Sequence, residues 1–96
     1  MDKKTILETI LTNRQLLSRY QVRSIALFGS YVRDEQRDNS DIDFLVEFNE
    51  GAKNFDNFMD LKFFLEDLFG RKVDLVTVQA LRPQLKESIL REITYV

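Results

Sequence analysis

The sequence predicts a single small α/β (α+β) domain over residues 1–96, with helices and strands alternating in the order α-β-α-β-α-β-α. Three observations carry this. A chain of 96 residues suits one domain at roughly 100–200 residues each, and folding from about 16,500 Å² to about 5,800 Å² hides enough surface for one core. Short apolar runs of strand length, at 24–28, 42–48 and 72–78, interleave with longer stretches whose apolar residues recur every three or four positions. Glycine or proline punctuates several of the junctions, at Gly29, Gly51, Gly70 and Pro83.

The first element reads as one helix over residues 4–20. Ile6, Leu7, Ile10, Leu11 and Leu17 form a helical stripe, and Thr5-x-x-Glu8 fits a capping box, with Asp2 as an alternative cap. Ser24–Phe28 is a continuous apolar run stopped by Gly29, which suits a strand buried on both faces. Residues 31–40 are polar without a sustained period and fit a short helical turn followed by a loop. From Asp41 to Phe48 the chain alternates: Ile42, Phe44, Val46 and Phe48 share one face, and Asp41, Asp43, Leu45 and Glu47 share the other.

Asn49–Gly51 makes a turn. Phe55–Phe69 then reads as a helix with Phe58, Leu61, Leu65 and Leu68 in a stripe and Gly70 placed to end it. Phe63 and Phe64 are adjacent and therefore about 100° apart around the helix, so at least one is a candidate for a protein interface. Lys72–Val78 is a third strand, and Pro83 opens a last helix carrying Leu85, Ile89 and Ile93.

Composition narrows the chemistry. The chain has 0 Cys and 0 His, which excludes disulfides, thiolate metal sites, cysteine nucleophiles, histidine bases and Ser-His-Asp triads. Carboxylates, Lys, Arg and hydroxyls remain, and carboxylates favour hard cations such as magnesium, manganese or calcium. The net charge is -2 and the pI about 5.1, which argues against general nucleic-acid binding. Residues 34–60 hold two basic against nine acidic side chains, a solvated acidic face or a region that needs cations. No apolar run approaches the ~18 residues of a membrane span, and the start lacks a leader's apolar stretch. A soluble, cytoplasmic protein without membrane contact is expected.

The informative constellation is Gly29-Ser30, then Ser40-Asp41-Ile42-Asp43, with ten residues separating Ser30 from Asp41, and Asp74 on the next strand. Asp41 and Asp43 sit at i and i+2, about 6.6 Å apart on one strand face, and Asp74 joins them if its strand is a neighbour. Three acids on one sheet face repel one another unless a cation lies between them. Gly29 permits a tight turn, and Ser30 is placed to cap a helix whose N-terminus suits phosphate. A phosphate seat beside carboxylates that bind one or two divalent ions is the equipment of nucleotidyl transfer. A lone Asp-x-Asp carries almost no information; the spacing from Gly29-Ser30 is what singles this one out. Arg33 suits a phosphate contact and an ion pair with a nearby acid equally well.

Gly29-Ser30-x-x-Arg33 followed by Ser40-Asp41-Ile42-Asp43-Phe44-Leu45-Val46 resembles the signature of the DNA polymerase β-type nucleotidyltransferase superfamily. The likeness is strongest to its minimal nucleotidyltransferases (MNT), the antitoxin partners of HEPN-domain toxins, and covers nearly the whole chain. It implies a small mixed β-sheet flanked by helices, ATP as substrate with Mg2+ or Mn2+, and Asp41, Asp43 and Asp74 as catalytic metal ligands. It further implies nucleotide binding by Gly29, Ser30, Arg33 and Ser40. The implied activity is transfer of AMP to a hydroxyl, a tyrosine of a HEPN-type toxin. Alternatives are a non-catalytic module that neutralises its partner by contact, and a nucleotidyltransferase for RNA or a small molecule such as an aminoglycoside. One departure from the pattern is Asp34 where relatives commonly carry Gly; an added carboxylate there weakens phosphate binding if it points inward.

Overall fold

The apolar run ending at Phe28 is a strand, buried on both faces as its composition requires. In the computed structural model, which describes residues 1–33, 35–37, 39–52, 54–84, 86–87 and 94–95, strand β1 spans Val22–Phe28. Ile25 and Leu27 point into the main core, while Ala26 and Phe28 point into a smaller cluster with Leu45. Strand β2 (Ile42–Phe48) pairs antiparallel with β1, and β3 (Val73–Thr77) pairs parallel with β2. A two-residue strand β4 (Thr94–Tyr95) adds antiparallel to the other side of β1, giving the order β3-β2-β1-β4. The sheet is mixed, as the family resemblance implies.

Alternation in β2 holds as read. Ile42, Phe44, Val46 and Phe48 face the main core and Leu45 faces the opposite cluster. Helix α3 (Phe55–Phe69) has the predicted bounds. Asn54 caps it by accepting from the Asn57 N–H at 2.9 Å, and Gly70 ends it at φ 63°. Leu61 and Leu65 are fully buried, each contributing about 1.5–3 kcal/mol by its removal from water. Phe64 packs against Tyr20, with ring centroids 5.3 Å apart, and Phe63 stays 54% exposed. Together β2, α3 and β3 form a strand–helix–strand crossover between parallel strands, which needs a helix of this length.

Three features differ from the sequence reading, and of the two caps it left open the structure has the alternative. The first helix is two: α1 (Lys3–Thr12) and α2 (Arg14–Ser18), parted at Asn13. Side chains there compete for helix carbonyls: Asn13 Nδ2 donates to Thr9 O at 2.8 Å, and Thr12 Oγ1 donates to Glu8 O at 2.9 Å. The cap is Asp2, whose carboxylate accepts from the Thr5 N–H at 2.9 Å, rather than Thr5 with Glu8. After β1 there is a three-residue 3-10 turn, Gly29–Tyr31, without a side-chain cap, so Ser30 lies inside the turn and does not cap a helix. Strand β4 stands where only helix was expected. Pro83 and Gln84 are helical as predicted, while Leu85, Ile89, Ile93 and the departure at Asp34 lie outside the described residues. Among the described residues no helix is long and apolar enough to cross a membrane.

Asn57 ties three segments together. Its Nδ2 donates to Tyr20 O at 2.8 Å and to Ala52 O at 3.1 Å, joining α3 to the start of β1 and to the loop after β2. Asn57→Ala leaves both carbonyls without this donor in a half-buried place. The expected loss is about 1–3 kcal/mol, read as a lower urea midpoint with an unchanged slope; an unchanged midpoint shows that water replaces the amide.

Candidate active site

The strand register lays the acids in a row. Phe28, at the end of β1, stands opposite Asp43 on β2, and Asp43 stands opposite Asp74 on β3. Neighbouring strands are about 4.8 Å apart, so the Asp43 and Asp74 carboxyls meet on the sheet face away from α1 and α3, the face that holds Leu45. Gly29 follows directly at φ 79°, and a Cβ there would fall on the Asp43 carboxylate, with Asp43 Cγ only 3.0 Å away. The backbone turn therefore lies flush against the carboxyl, which only glycine allows at this φ.

Asp43 is half-buried, and its pKa is pushed up to about 6. Burial is the main cause, followed by the charges of Asp74 and Asp41 and a hydrogen bond in which the protonated Asp43 carboxyl donates to Asp74; Arg33 opposes the rise. The folded protein thus binds a proton at Asp43 more tightly than the unfolded chain does. Stability from this group is present below about pH 4 and is lost as pH rises to about 6. The stability of Asp43→Asn relative to the parent, near zero at pH 4, is expected to grow to about 1–2 kcal/mol at pH 7 in chelator, after allowance for solvent at a half-exposed group. Thermal melts of both proteins across pH 4–8 measure it; parallel curves would show that the crowding costs nothing. Asp2 titrates in the opposite sense, its pKa lowered by the backbone hydrogen bond from Thr5, and is common to both proteins.

The predicted site residues assemble in part. Gly29, Asp43 and Asp74 come together. Asp41 lies one residue before β2, exposed, where the Ile42 N–H already donates to Lys72 O at 3.0 Å. Its charge reaches Asp43. Yet among the described residues no three acids stand close enough to hold a metal ion between them. The three-carboxylate cage expected from the sequence is therefore a pair with Asp41 beside it. The donors are all carboxylate oxygens, which fit a hard divalent cation, and the crowding that raises Asp43 is what such a cation would relieve.

Ser30 is half-buried in the turn, and its carbonyl accepts from the Glu35 N–H at 2.9 Å. Arg33 Nε meets Glu35 Oε2 at 3.2 Å at the surface while its charge acts on Asp43, the ion-pair role open to it in the sequence. Ser40 Oγ accepts from the Arg37 N–H at 2.8 Å and closes the loop that delivers Asp41, leaving its hydroxyl proton to donate elsewhere. Tyr31 is one residue the sequence reading passed over. At the start of the polar stretch 31–40, it is 1% exposed and its hydroxyl donates to Ser40 O at 3.4 Å, linking the Gly29 turn to the Asp41 loop. An aromatic residue directly after Gly-Ser was the available signal.

Residues 10–96 match the model of the nucleotidyltransferase domain family. The chain is 42% identical over 92 residues to the protein adenylyltransferase MntA of Thermococcus cleftensis, covering 94% of this chain and 92% of that protein. It superposes with TM-score 0.83 at 37% identity on a solved structure described as a candidate minimal nucleotidyltransferase, covering 98% of this chain and 95% of the other. It shares the fold, with TM-score 0.67 at 21% identity, with a chain from the complex of a tri-AMPylated Shewanella oneidensis HEPN toxin and its MNT antitoxin, covering 94% and 70%.

Proposed function

This chain belongs to the nucleotidyltransferase domain family, and from that premise we propose that it transfers AMP from ATP to a hydroxyl on a partner protein, a tyrosine of a HEPN-type toxin. The observation that carries the reading is the Asp43–Asp74 pair set against the Gly29 turn. Resemblance to a named protein adenylyltransferase along almost the whole chain supports the choice of a protein as acceptor. In the cytoplasm the protein would act as the antitoxin of the pair.

Asp41, Asp43 and Asp74 are the residues that would hold Mg2+ or Mn2+, with Asp41 drawn in from its exposed position. Such an ion, when bound, offsets the charge of the triphosphate and of the pyrophosphate leaving group. The chain's own residues do the rest. Gly29 leaves room for the phosphates and the Asp43 carboxylate side by side. Backbone N–H groups of the turn and the hydroxyl of Ser30 would bind the triphosphate, with Arg33 beside them and Ser40 at its acceptor end. Asp74, exposed on the edge strand, is open to an incoming hydroxyl and takes its proton. The hydroxyl oxygen forms a bond to the α-phosphorus, the bond from that phosphorus to the β-bridging oxygen breaks, and its electron pair leaves with pyrophosphate.

The test is α-labelled ATP with magnesium and a HEPN protein encoded beside this chain, followed on a denaturing gel. Label on the partner is the expected result. Unlabelled partner that is nevertheless bound and inhibited would replace this reading with neutralisation by contact alone. Extension of bulk RNA without label on the partner would point to an RNA acceptor.

A further inference from the structure

A polar recess of about 420 Å³ opens beside Asp41, lined by Asn39, Ser40, Asp41, Arg71 and Lys72. Its position follows from the sheet. Gly29 ends β1, Asp43 lies on β2, and Arg71 and Lys72 precede β3, with Lys72 O accepting from the Ile42 N–H at 3.0 Å. Crossing the sheet from β1 to β3, one meets the phosphate turn, then the acids, then the recess. Displacement at phosphorus is in line, so the nucleophile enters opposite the leaving group. With pyrophosphate held at the Gly29 turn on β1, the entering hydroxyl comes from the β3 side, where the recess lies and where Asp74 is exposed.

The lining there is unlike the rest of the site. Two cations, Arg71 and Lys72, and two neutral polar side chains accompany a single carboxylate. Lys72 is exposed and Arg71 half-buried. A planar guanidinium, an ammonium, an amide and a hydroxyl around one opening form a donor set for a phosphate or a carboxylate.

We infer that this recess is an acceptor-side anion subsite, in which Arg71 and Lys72, with Asn39 and Ser40, hold a negatively charged group of the acceptor next to the hydroxyl that attacks. This rests on the transferase reading above. One chemistry has two sources: a carboxylate flanking the acceptor hydroxyl on the unmodified partner, or the phosphodiester of an AMP already attached, whose ribose hydroxyl then serves as the next nucleophile. In both cases the transfer balances as written above, and the subsite changes only what is presented to the α-phosphorus.

Two measurements test it. In the first, Lys72→Glu and Arg71→Gln are compared with the parent in the labelling assay at rising acceptor concentration, and Lys62→Glu makes the same charge change on α3. About a tenfold rise in KM for the acceptor, with ATP affinity unchanged and Lys62→Glu unaffected, is expected. If the carboxylate is the source, the first addition suffers. If the phosphodiester is the source, the first addition is normal and species with two or more AMP units disappear. Unchanged KM and unchanged product lengths overturn the inference while leaving the transferase reading intact.

The second measurement is independent of turnover. The protein saturated with Mg2+ and AMP-PNP is titrated with 5′-AMP and followed by amide chemical shifts. Shifts at Asn39–Asp41 and Arg71–Lys72 that vanish in Lys72→Glu support the subsite, even in a protein that labels nothing. Shifts confined to Gly29–Tyr31, or none at millimolar AMP, overturn it.

Discussion

Asp43→Asn is expected to lower AMP transfer by roughly a thousandfold or more while leaving the ion-free protein at least as stable as its parent at neutral pH. The two effects have one origin. Asp43 sits between Gly29 and Asp74, half-buried, with its pKa raised to about 6 by burial and by neighbouring acids. An ionised carboxylate in that position costs stability, and asparagine removes the charge at nearly constant shape. Removing it also takes away the ligand oxygen best placed to share a cation with Asp74. Magnesium should accordingly raise the melting temperature of the parent at pH 7.5 and have little effect on the variant. A variant that retains transfer would remove Asp43 from the reacting centre. One that loses transfer by unfolding would contradict the origin proposed for the raised pKa.

Asp41→Asn makes a useful contrast. Asp41 is exposed and lies before the first ladder residue of β2, so its loss should cost no stability in chelator and should ease the crowding at Asp43 slightly. Any fall in transfer then reports on the ion-bound state alone.

Much of this site was legible in the sequence because it depends on strand parity. Once 42–48 alternates, Asp43 must share a face with Leu45, and once Val73 and Leu75 point inward, Asp74 must point the other way. The parallel in-register pairing of Asp43 with Asp74 was not contained in either strand by itself. It depends on α3 carrying the chain back to the same edge. The elements misread share a different cause. Thr9, Thr12 and Asn13 keep a helical apolar period while their side chains compete for backbone carbonyls, and periodicity is blind to that competition. At residues 29–31 the expected short helical turn is a 3-10 turn without a side-chain cap, so the phosphate contacts proposed above would fall to a few backbone N–H groups instead of a capped helix terminus. Strand β4 is only two residues long, too short to announce itself by alternation.

Gly29→Ala separates what the turn does for stability from what it does for chemistry. At φ 79° an alanine costs about 1–2 kcal/mol by itself. Its Cβ would also fall on the Asp43 carboxylate, with Asp43 Cγ at 3.0 Å and Cβ at 3.2 Å. The carboxylate is the free end of a short side chain and can swing away, so the protein should still fold, with its unfolding free energy reduced by about 2–3 kcal/mol. Transfer should fall at least a hundredfold, because a carboxylate displaced by about 1 Å would no longer hold its cation in place beside the reacting phosphate. Gly70→Ala is the matched control: its φ is 63° and nothing lies within 4 Å of the added Cβ, so it should lose about 1 kcal/mol and keep full transfer. Combining Gly29→Ala with Asp43→Ala removes the carboxyl part of the collision and leaves only the Cβ contact at 3.2 Å. The pair should recover about 1 kcal/mol relative to the sum of the single changes without recovering activity. Stability losses that simply add, together with undiminished transfer in Gly29→Ala, would show that the Asp43 carboxylate works from a position clear of the turn, and the close approach of glycine to carboxylate would then be a feature of the resting protein only.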